Sequence, residues 1–301
     1  MKVKEENSNC SPISSLYCNL KIRLTGNLKD KNLDNLYKCS LCNECHLAGF
    51  NHYAREIAVS KSLITRHTAE IRKNIAQSGN SYGITSDNGD NGQTKMETVL
   101  FRGCTPTYKT PEILASAENL LKSNGIEYGV LNNETCCGNI LFNLGDIKSG
   151  DETVRKNIEK FKAAGVKKII TICPGCYSAF NKYYKGQYEF NPEIILAIEL
   201  LGKSTVRKGD FTIQDPCHAR EKSHDVRRIL TSAGNKSASP CCGAGAGVMA
   251  HDKSVATTKA RKTVNNIPEK IVTYCPFCYL NLSSVNSDKV SDIYMLLAEK
   301  G

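Results

Sequence analysis

The chain has 301 residues, 40% hydrophobic and 23% charged, the proportions of a soluble globular protein with room for two or three cores. No apolar run approaches the roughly 20 residues a membrane-spanning helix needs, and the basic start MKVKEENSNC has no apolar stretch behind it, which reads against a secretory signal and for a cytoplasmic protein. The formal charge is +10, but the lysines are scattered without a dense block or interleaved aromatics, so a solvated basic face is expected and nucleic-acid binding is not.

Residues 1–36 are polar and poorly periodic, with isolated Cys10 and Cys18. A C-x-x-C-x-x-C follows at Cys39, Cys42 and Cys45. Apolar Ile57, Leu63, Ile64, Ile71 and Ile75 predict one or two amphipathic helices over 52–77. The Gly-, Asn- and Ser-rich stretch 77–96 reads as a linker. Beyond it, apolar residues at 99–101 predict a short strand running to Cys104, and Ile113, Leu114, Ala117, Leu120 and Leu121 mark a helix facing a core. A second strand is expected at 126–131, a helix through Val154, Ile158 and Phe161, and a buried strand at 169–172 that ends at Cys173. The second half repeats this order: a strand at 211–215 runs to Cys217, helices cover 223–233 and 251–265, and a strand at 270–274 runs to Cys275. The alternation predicts an α/β fold of two tandem lobes, 97–206 and 207–301, with mostly parallel sheets. A small helical segment, 1–76, precedes them.

Ten of the fifteen cysteines form two sets of five in one order. Cys104, the pair Cys136–Cys137 before Gly138, and Cys173-Pro-Gly-Cys176 make the first; Cys217, Cys241–Cys242 before Gly243, and Cys275-Pro-Phe-Cys278 make the second. Structural disulfides are not expected in a reducing compartment, so metal ligation or redox chemistry is the better reading. Five thiols exceed what one tetrahedral zinc uses. Adjacent cysteines cannot both reach one small ion without strain, whereas a cluster can be held from two irons. Soft thiolates favour iron–sulfur clusters or zinc over hard cations. Each strand end delivers cysteines where open α/β sheets bind ligands, so two lobes facing each other with one site apiece are expected. Pro174 and Pro276 suit the first turn of a helix, whose N-terminus would favour the thiolate.

The order Cys…CysCysGly…CysxxCys, with 31 and 35 intervening residues in the first set and 23 and 32 in the second, resembles the cysteine-rich CCG domain. That domain occurs in the B and D components of heterodisulfide reductase and in iron–sulfur subunits of glycolate, lactate and glycerol-3-phosphate dehydrogenases. Gly103-Cys104, Asp215-Pro216-Cys217-His218, Cys241-Cys242-Gly243-Ala244-Gly245 and Thr273-Tyr274-Cys275-Pro276-Phe277-Cys278 support it, over about two-thirds of the chain; the shortened first gap of the second set departs from the usual spacing. The resemblance implies a non-cubane [4Fe–4S] centre on each five-cysteine set. The run at Cys39, Cys42 and Cys45 is similar to part of a bacterial ferredoxin motif, and residues 71–83 resemble the helix and turn that follow one. Gly49 and Phe50 stand where its fourth cysteine and proline belong. That implies a reduced domain with one cubane whose fourth ligand comes from upstream, Cys18 in preference to Cys10. Zinc, using His46, or a vacant site are the other readings.

Gly243, Gly245 and Gly247 do not make a dinucleotide loop, since Val248 replaces its third glycine and no strand precedes it. His218 either donates a proton in disulfide cleavage or, more simply, hydrogen-bonds a ligand or fills a strand end. Two redox functions follow. The chain is an oxidoreductase subunit resembling heterodisulfide reductase B/D that reduces a small disulfide, or an electron-transfer subunit serving a flavin-dependent 2-hydroxy-acid or glycerol-3-phosphate dehydrogenase. Lacking a flavin loop or a membrane helix, either role needs a flavoprotein or another redox subunit, and a quinone-linked partner would hold the chain at the inner face of the membrane. A zinc-stabilised interaction protein is the non-redox alternative.

Overall fold

Among the described residues, the segment before the repeat forms four helices and a 3-10 turn. The computed structural model describes residues 12–28, 30–45, 47–85, 95–201, 207–232, 237–238 and 240–299. In order come α1 (Pro12–Thr25), α2 (Asp30–Leu33), a 3-10 turn (Asp34–Lys38), α3 (Ala48–Ser60) and α4 (Arg66–Ser78). The stretch expected to be one or two helices is two. Ser62 adopts φ 60 and Thr65 caps α4 by accepting from the Thr68 amide. Gly79 ends α4 in the left-handed region, φ 69. The first part of the expected linker is a hydrogen-bonded turn. The Asn80 side chain donates to the carbonyls of Ser78 and Ile84 and accepts from the amides of Tyr82 and Ile84, while the Tyr82 hydroxyl lies 2.9 Å from that of Thr105.

The first module contains β1 (Thr98–Phe101), α5 (Cys104–Tyr108), α6 (Pro111–Ser123), α7 (Asn139–Asn143), α8 (Ile147–Ala164), β2 (Lys168–Thr171), α9 (Pro174–Ala179) and β3 (Glu193–Leu196). Its sheet is parallel throughout, in the order β1-β2-β3, with Thr98 opposite Lys168 and Lys168 opposite Glu193. The strand expected at 126–131 shrinks to one parallel bridge, Val99 to Gly129, on the free edge of β1. A glycine at the pairing point and a turn at Asn132–Asn133 leave too little chain for a ladder.

The second module contains β4 (Arg207–Gly209), β5 (Phe211–Gln214), α10 (Ser223–Ile229), β6 (Leu230–Ser232), β7 (Ser237–Ala238), α11 (Val248–His251), α12 (Lys253–Asn266), β8 (Lys270–Thr273), α13 (Pro276–Ser283), β9 (Val290–Asp292) and α14 (Ile293–Ala298). Strands β7-β5-β8-β9 form a parallel sheet, and β4 pairs with β6. The helix expected over 223–233 ends at Ile229 because the next residues pair with β4. The modules share one core, in which Leu100, Ile113, Leu121 and Ile170 of the first meet Ile213, Val272, Ile293 and Tyr294 of the second. Each such aliphatic side chain contributes about 1.5–3 kcal/mol by burial. No described helix is long and apolar enough to cross a membrane.

Candidate metal centre

Four strands end at cysteines. Beyond β1, Gly103 takes φ 81 and turns the chain into α5 at Cys104. Cys173 and Cys275 are the N-cap residues of α9 and α13, each followed by proline at the first helical position. Cys217 follows β5 through Asp215 and Pro216. The pairs arrive from connecting loops, and each is turned by a left-handed glycine, Gly138 at φ 81 and Gly243 at φ 86. As a result Cys104, Cys136, Cys137, Cys173, Cys176, Cys217, Cys241, Cys242, Cys275 and Cys278 all line one cavity of about 320 Å³. Among the described residues no three or more Cys, His, Asp or Glu side chains are grouped to hold a single metal ion; the sulfurs border a space instead.

Within the first set Cys104 hydrogen-bonds Cys136, Cys137 bonds Cys136 and Cys176, and Cys176 bonds Cys173. In the second, Cys242 bonds Cys241 and Cys278, and Cys278 bonds Cys275. Cys173 also meets Cys275, joining the sets across the module boundary. A thiol that accepts from its neighbours is favoured as thiolate, while the donors are held protonated. Cys137 is drawn down to about 6 by Cys136 and then Cys176. Cys242 lies well below the usual thiol range through Cys241 and Cys278, and Cys173 through Cys176 and Cys275.

The surroundings repeat as the cysteines do. The Gly138 amide donates to the Cys136 sulfur at 3.4 Å, and the Gly243 amide to that of Cys241 at 3.3 Å. Asn157 on α8 donates to the Cys136 carbonyl at 2.9 Å, and Asn281 on α13 to that of Cys242 at 2.6 Å. The Tyr184 hydroxyl donates to the Cys137 carbonyl at 3.0 Å. Half-buried Glu134 accepts from the amides of Arg102 and Gly103 at 2.8 and 2.7 Å and fixes the turn into Cys104. Burial pushes its carboxyl up to about 7, against the pull of those two amides. None of these four residues belongs to a cysteine motif. The signal available for Asn157 is a polar residue inside the apolar face of α8, beside Val154, Ile158 and Phe161. His218 lines the cavity, and burial, partly offset by Cys173, holds its imidazole below the ordinary value.

The N-terminal cysteines turn to different neighbours. The Cys18 sulfur lies 3.3 Å from the Asn32 carbonyl and packs with Ile22, Leu33 and Leu36. Cys45 is exposed, and Cys39 is buried with its carbonyl accepting from Arg55 at 2.6 Å. Cys42 hydrogen-bonds Cys241 of the second module. Cys10 and His46 lie outside the described residues.

A buried cation fastens this segment in place. The Arg55 guanidinium donates to the carbonyls of Leu36, Cys39, Asn143 and Ala246 at 2.6–3.0 Å, so one side chain ties the N-terminal segment to both modules. Tyr37 donates to the Leu144 carbonyl at 3.1 Å and stacks on His251, ring centroids 4.1 Å apart. The His251 ring nitrogens lie 2.9 Å from the Gly247 carbonyl and 2.7 Å from the Thr65 hydroxyl. Burial holds its imidazole down to about 4 from an ordinary 6.5. The folded protein therefore binds fewer protons than the unfolded chain between these values. The stability due to neutral His251 is complete above about pH 6.5 and is lost as pH falls towards about 4. Urea midpoints should fall over that range, and His251→Asn should flatten the fall; an unchanged pH slope in the variant would refute this assignment.

The family model described as CCG, a cysteine-rich domain, matches residues 98–181 and 211–283. An uncharacterized iron-sulfur protein of Methanococcus maripaludis is 26% identical over 277 residues, covering 81% of this chain and 56% of its own length. The B component of the fumarate reductase (CoM/CoB) of Methanothermobacter marburgensis is 24% identical, covering 87% and 60%. The D component of the dihydromethanophenazine:CoB–CoM heterodisulfide reductase of Methanosarcina acetivorans is 28% identical, covering 68% and 59%. The chain thus spans somewhat over half the length of these relatives. With two matched segments that together exceed half its residues, one over each five-cysteine set, the chain belongs to the CCG cysteine-rich domain family.

Proposed function

We propose that the chain is an iron–sulfur oxidoreductase subunit that reduces a small disulfide, with one [4Fe–4S] centre on Cys104, Cys136, Cys137, Cys173 and Cys176 and a second on Cys217, Cys241, Cys242, Cys275 and Cys278. The observation that carries this reading is the single cavity bordered by both sets, with Cys173 against Cys275. The residues fit such groups. Each set offers five soft donors and a backbone amide aimed at sulfur. A Cβ on Gly103 would lie 3.1 Å from the Cys176 sulfur, so the chain approaches there more closely than a side chain readily permits.

When bound, the two centres would each supply one-electron storage at the cysteines that line the cavity. The protein's own groups do the rest. The shared cavity holds the substrate between the two sets, and its cysteine-rich walls limit water. His218, kept neutral by burial, can hydrogen-bond one departing sulfur. Reduction breaks one S–S bond, consumes two electrons and two protons, and yields two thiols. The electrons come from a flavoprotein or another redox subunit. A quinone-linked membrane partner would take its place if electrons run the other way.

Anaerobically purified protein should contain about eight iron and eight sulfide per chain, with paramagnetic signals on reduction and turnover of a low-molecular-weight disulfide. Zinc without sulfide would overturn the redox reading. Loaded protein that turns over no disulfide but binds a flavoprotein would be the electron-transfer subunit of a hydroxy-acid or glycerol-phosphate dehydrogenase instead.

A further inference from the structure

We infer that Cys42 is a ligand of the second centre, so that six sulfurs surround it where five surround the first. The inference rests on the iron–sulfur reading above and concerns which residues of this chain take part. In the first module the leading cysteine, Cys104, hydrogen-bonds the first member of the pair, Cys136. In the second module the corresponding member, Cys241, is met by Cys42, and Cys217 stands as an electrostatic neighbour of both. The N-terminal residue thus makes the contact with the pair that Cys104 makes in the other half. The second set is also the one with the shortened gap, 23 residues against 31.

The segment that carries Cys42 is held against this site at several points. The Ser40 hydroxyl lies 3.1 Å from the Cys241 sulfur, and Lys259 on α12 donates to that hydroxyl at 3.3 Å. A Cβ on Gly245 would come within 3.4 Å of the Ser40 carbonyl oxygen. Glu44 pairs with Arg220, three residues beyond Cys217, at 3.5 Å. The residues on either side of Cys42 are both left-handed without being glycine, Leu41 at φ 50 and Asn43 at φ 58. Such conformations are strained for a residue with a side chain and persist where the surroundings over-determine them. Here they aim the Cys42 sulfur away from the solvent side, where Cys45 is exposed, and towards Cys241.

The two centres are then unequal. An added thiolate puts more negative charge on the second, and net charge is one of the factors that set the reduction potential of such a group. The second centre should therefore be the harder to reduce.

The test compares Cys42→Ser with Cys45→Ser, each in the full chain and in a Cys137→Ser background that leaves only the second centre. The readouts are iron and sulfide content, paramagnetic resonance and reduction potential. Cys42→Ser should change the second centre's spectrum and raise its potential, while Cys45→Ser should change neither. Loss of about four iron from the full chain in both variants, with the remaining spectrum intact, would mean that the N-terminal motif holds its own cubane. No change with Cys42→Ser would make it a bystander; either result overturns the inference. Should Cys42→Ser not fold, Cys217→Ser decides. With five sulfurs left, its second centre should survive with an altered spectrum, whereas Cys104→Ser should lose the first; equal loss in both would also overturn the inference. Wild-type protein without iron and sulfide would defeat the iron–sulfur reading itself.

Discussion

Replacing Arg55 by alanine should lower the unfolding free energy by about 3–5 kcal/mol, a large part of what a domain of ordinary stability possesses. The side chain is fully buried, and its guanidinium serves the carbonyls of Leu36, Cys39, Asn143 and Ala246. Truncation leaves these acceptors in a dry joint without a donor. Lysine is not an adequate replacement, because a single ammonium cannot reproduce the planar fork that reaches three segments at once. Arg55→Lys should accordingly recover less than half of the loss. Because the Cys39 and Ala246 carbonyls flank the contact of Ser40 with Cys241, the alanine variant should also become more sensitive to protease within the N-terminal segment. Urea denaturation of the two variants measures the effect, and a loss below about 1 kcal/mol in Arg55→Ala would show that the joint is not structural.

Cys137→Ser should halve the iron and sulfide content, from about eight of each to about four, and abolish disulfide turnover. Cys137 is drawn towards thiolate by two thiol neighbours on different segments, Cys136 in the loop and Cys176 on α9. Serine retains the volume but supplies a hard, protonated oxygen in place of a soft thiolate. The second centre should keep its spectrum, apart from a small shift transmitted where Cys173 meets Cys275. Loss of all iron would mean that the two sets are not independent sites.

Both cysteine sets and the strands that deliver them were readable from the sequence, because short apolar runs stopping at 101, 171, 214 and 273 are local signals and the repeat corroborates each with its twin. Non-local features were not readable. Arg55 looks like an ordinary charge on an amphipathic helix, and only the approach of residues 143 and 246 makes it a buried fastener. Ser40 and Cys241 are 201 positions apart, so the approach of the N-terminal cysteine run to the second set leaves no mark in the spacing. The residues Leu230-Thr231-Ser232 after Ile229 suit a helix or a strand about equally well, and pairing with β4 decides it. Asn281 looks like a solvated polar position until the carbonyl of Cys242 is brought to it, whereas Asn157 shows only as a polar residue on the apolar face of α8.

Helix α14 packs on α6, and its Ile293 and Tyr294 help to fill the core that Ile113 and Leu121 begin. During synthesis α6 leaves the ribosome long before α14 does, so the first module cannot complete its interior until the second module has been made. Its five thiols would meanwhile be exposed to oxygen and stray metal. Iron–sulfur insertion is therefore expected to follow synthesis of the second module, and a carrier or chaperone that shields the half-made cavity should improve the yield of loaded protein.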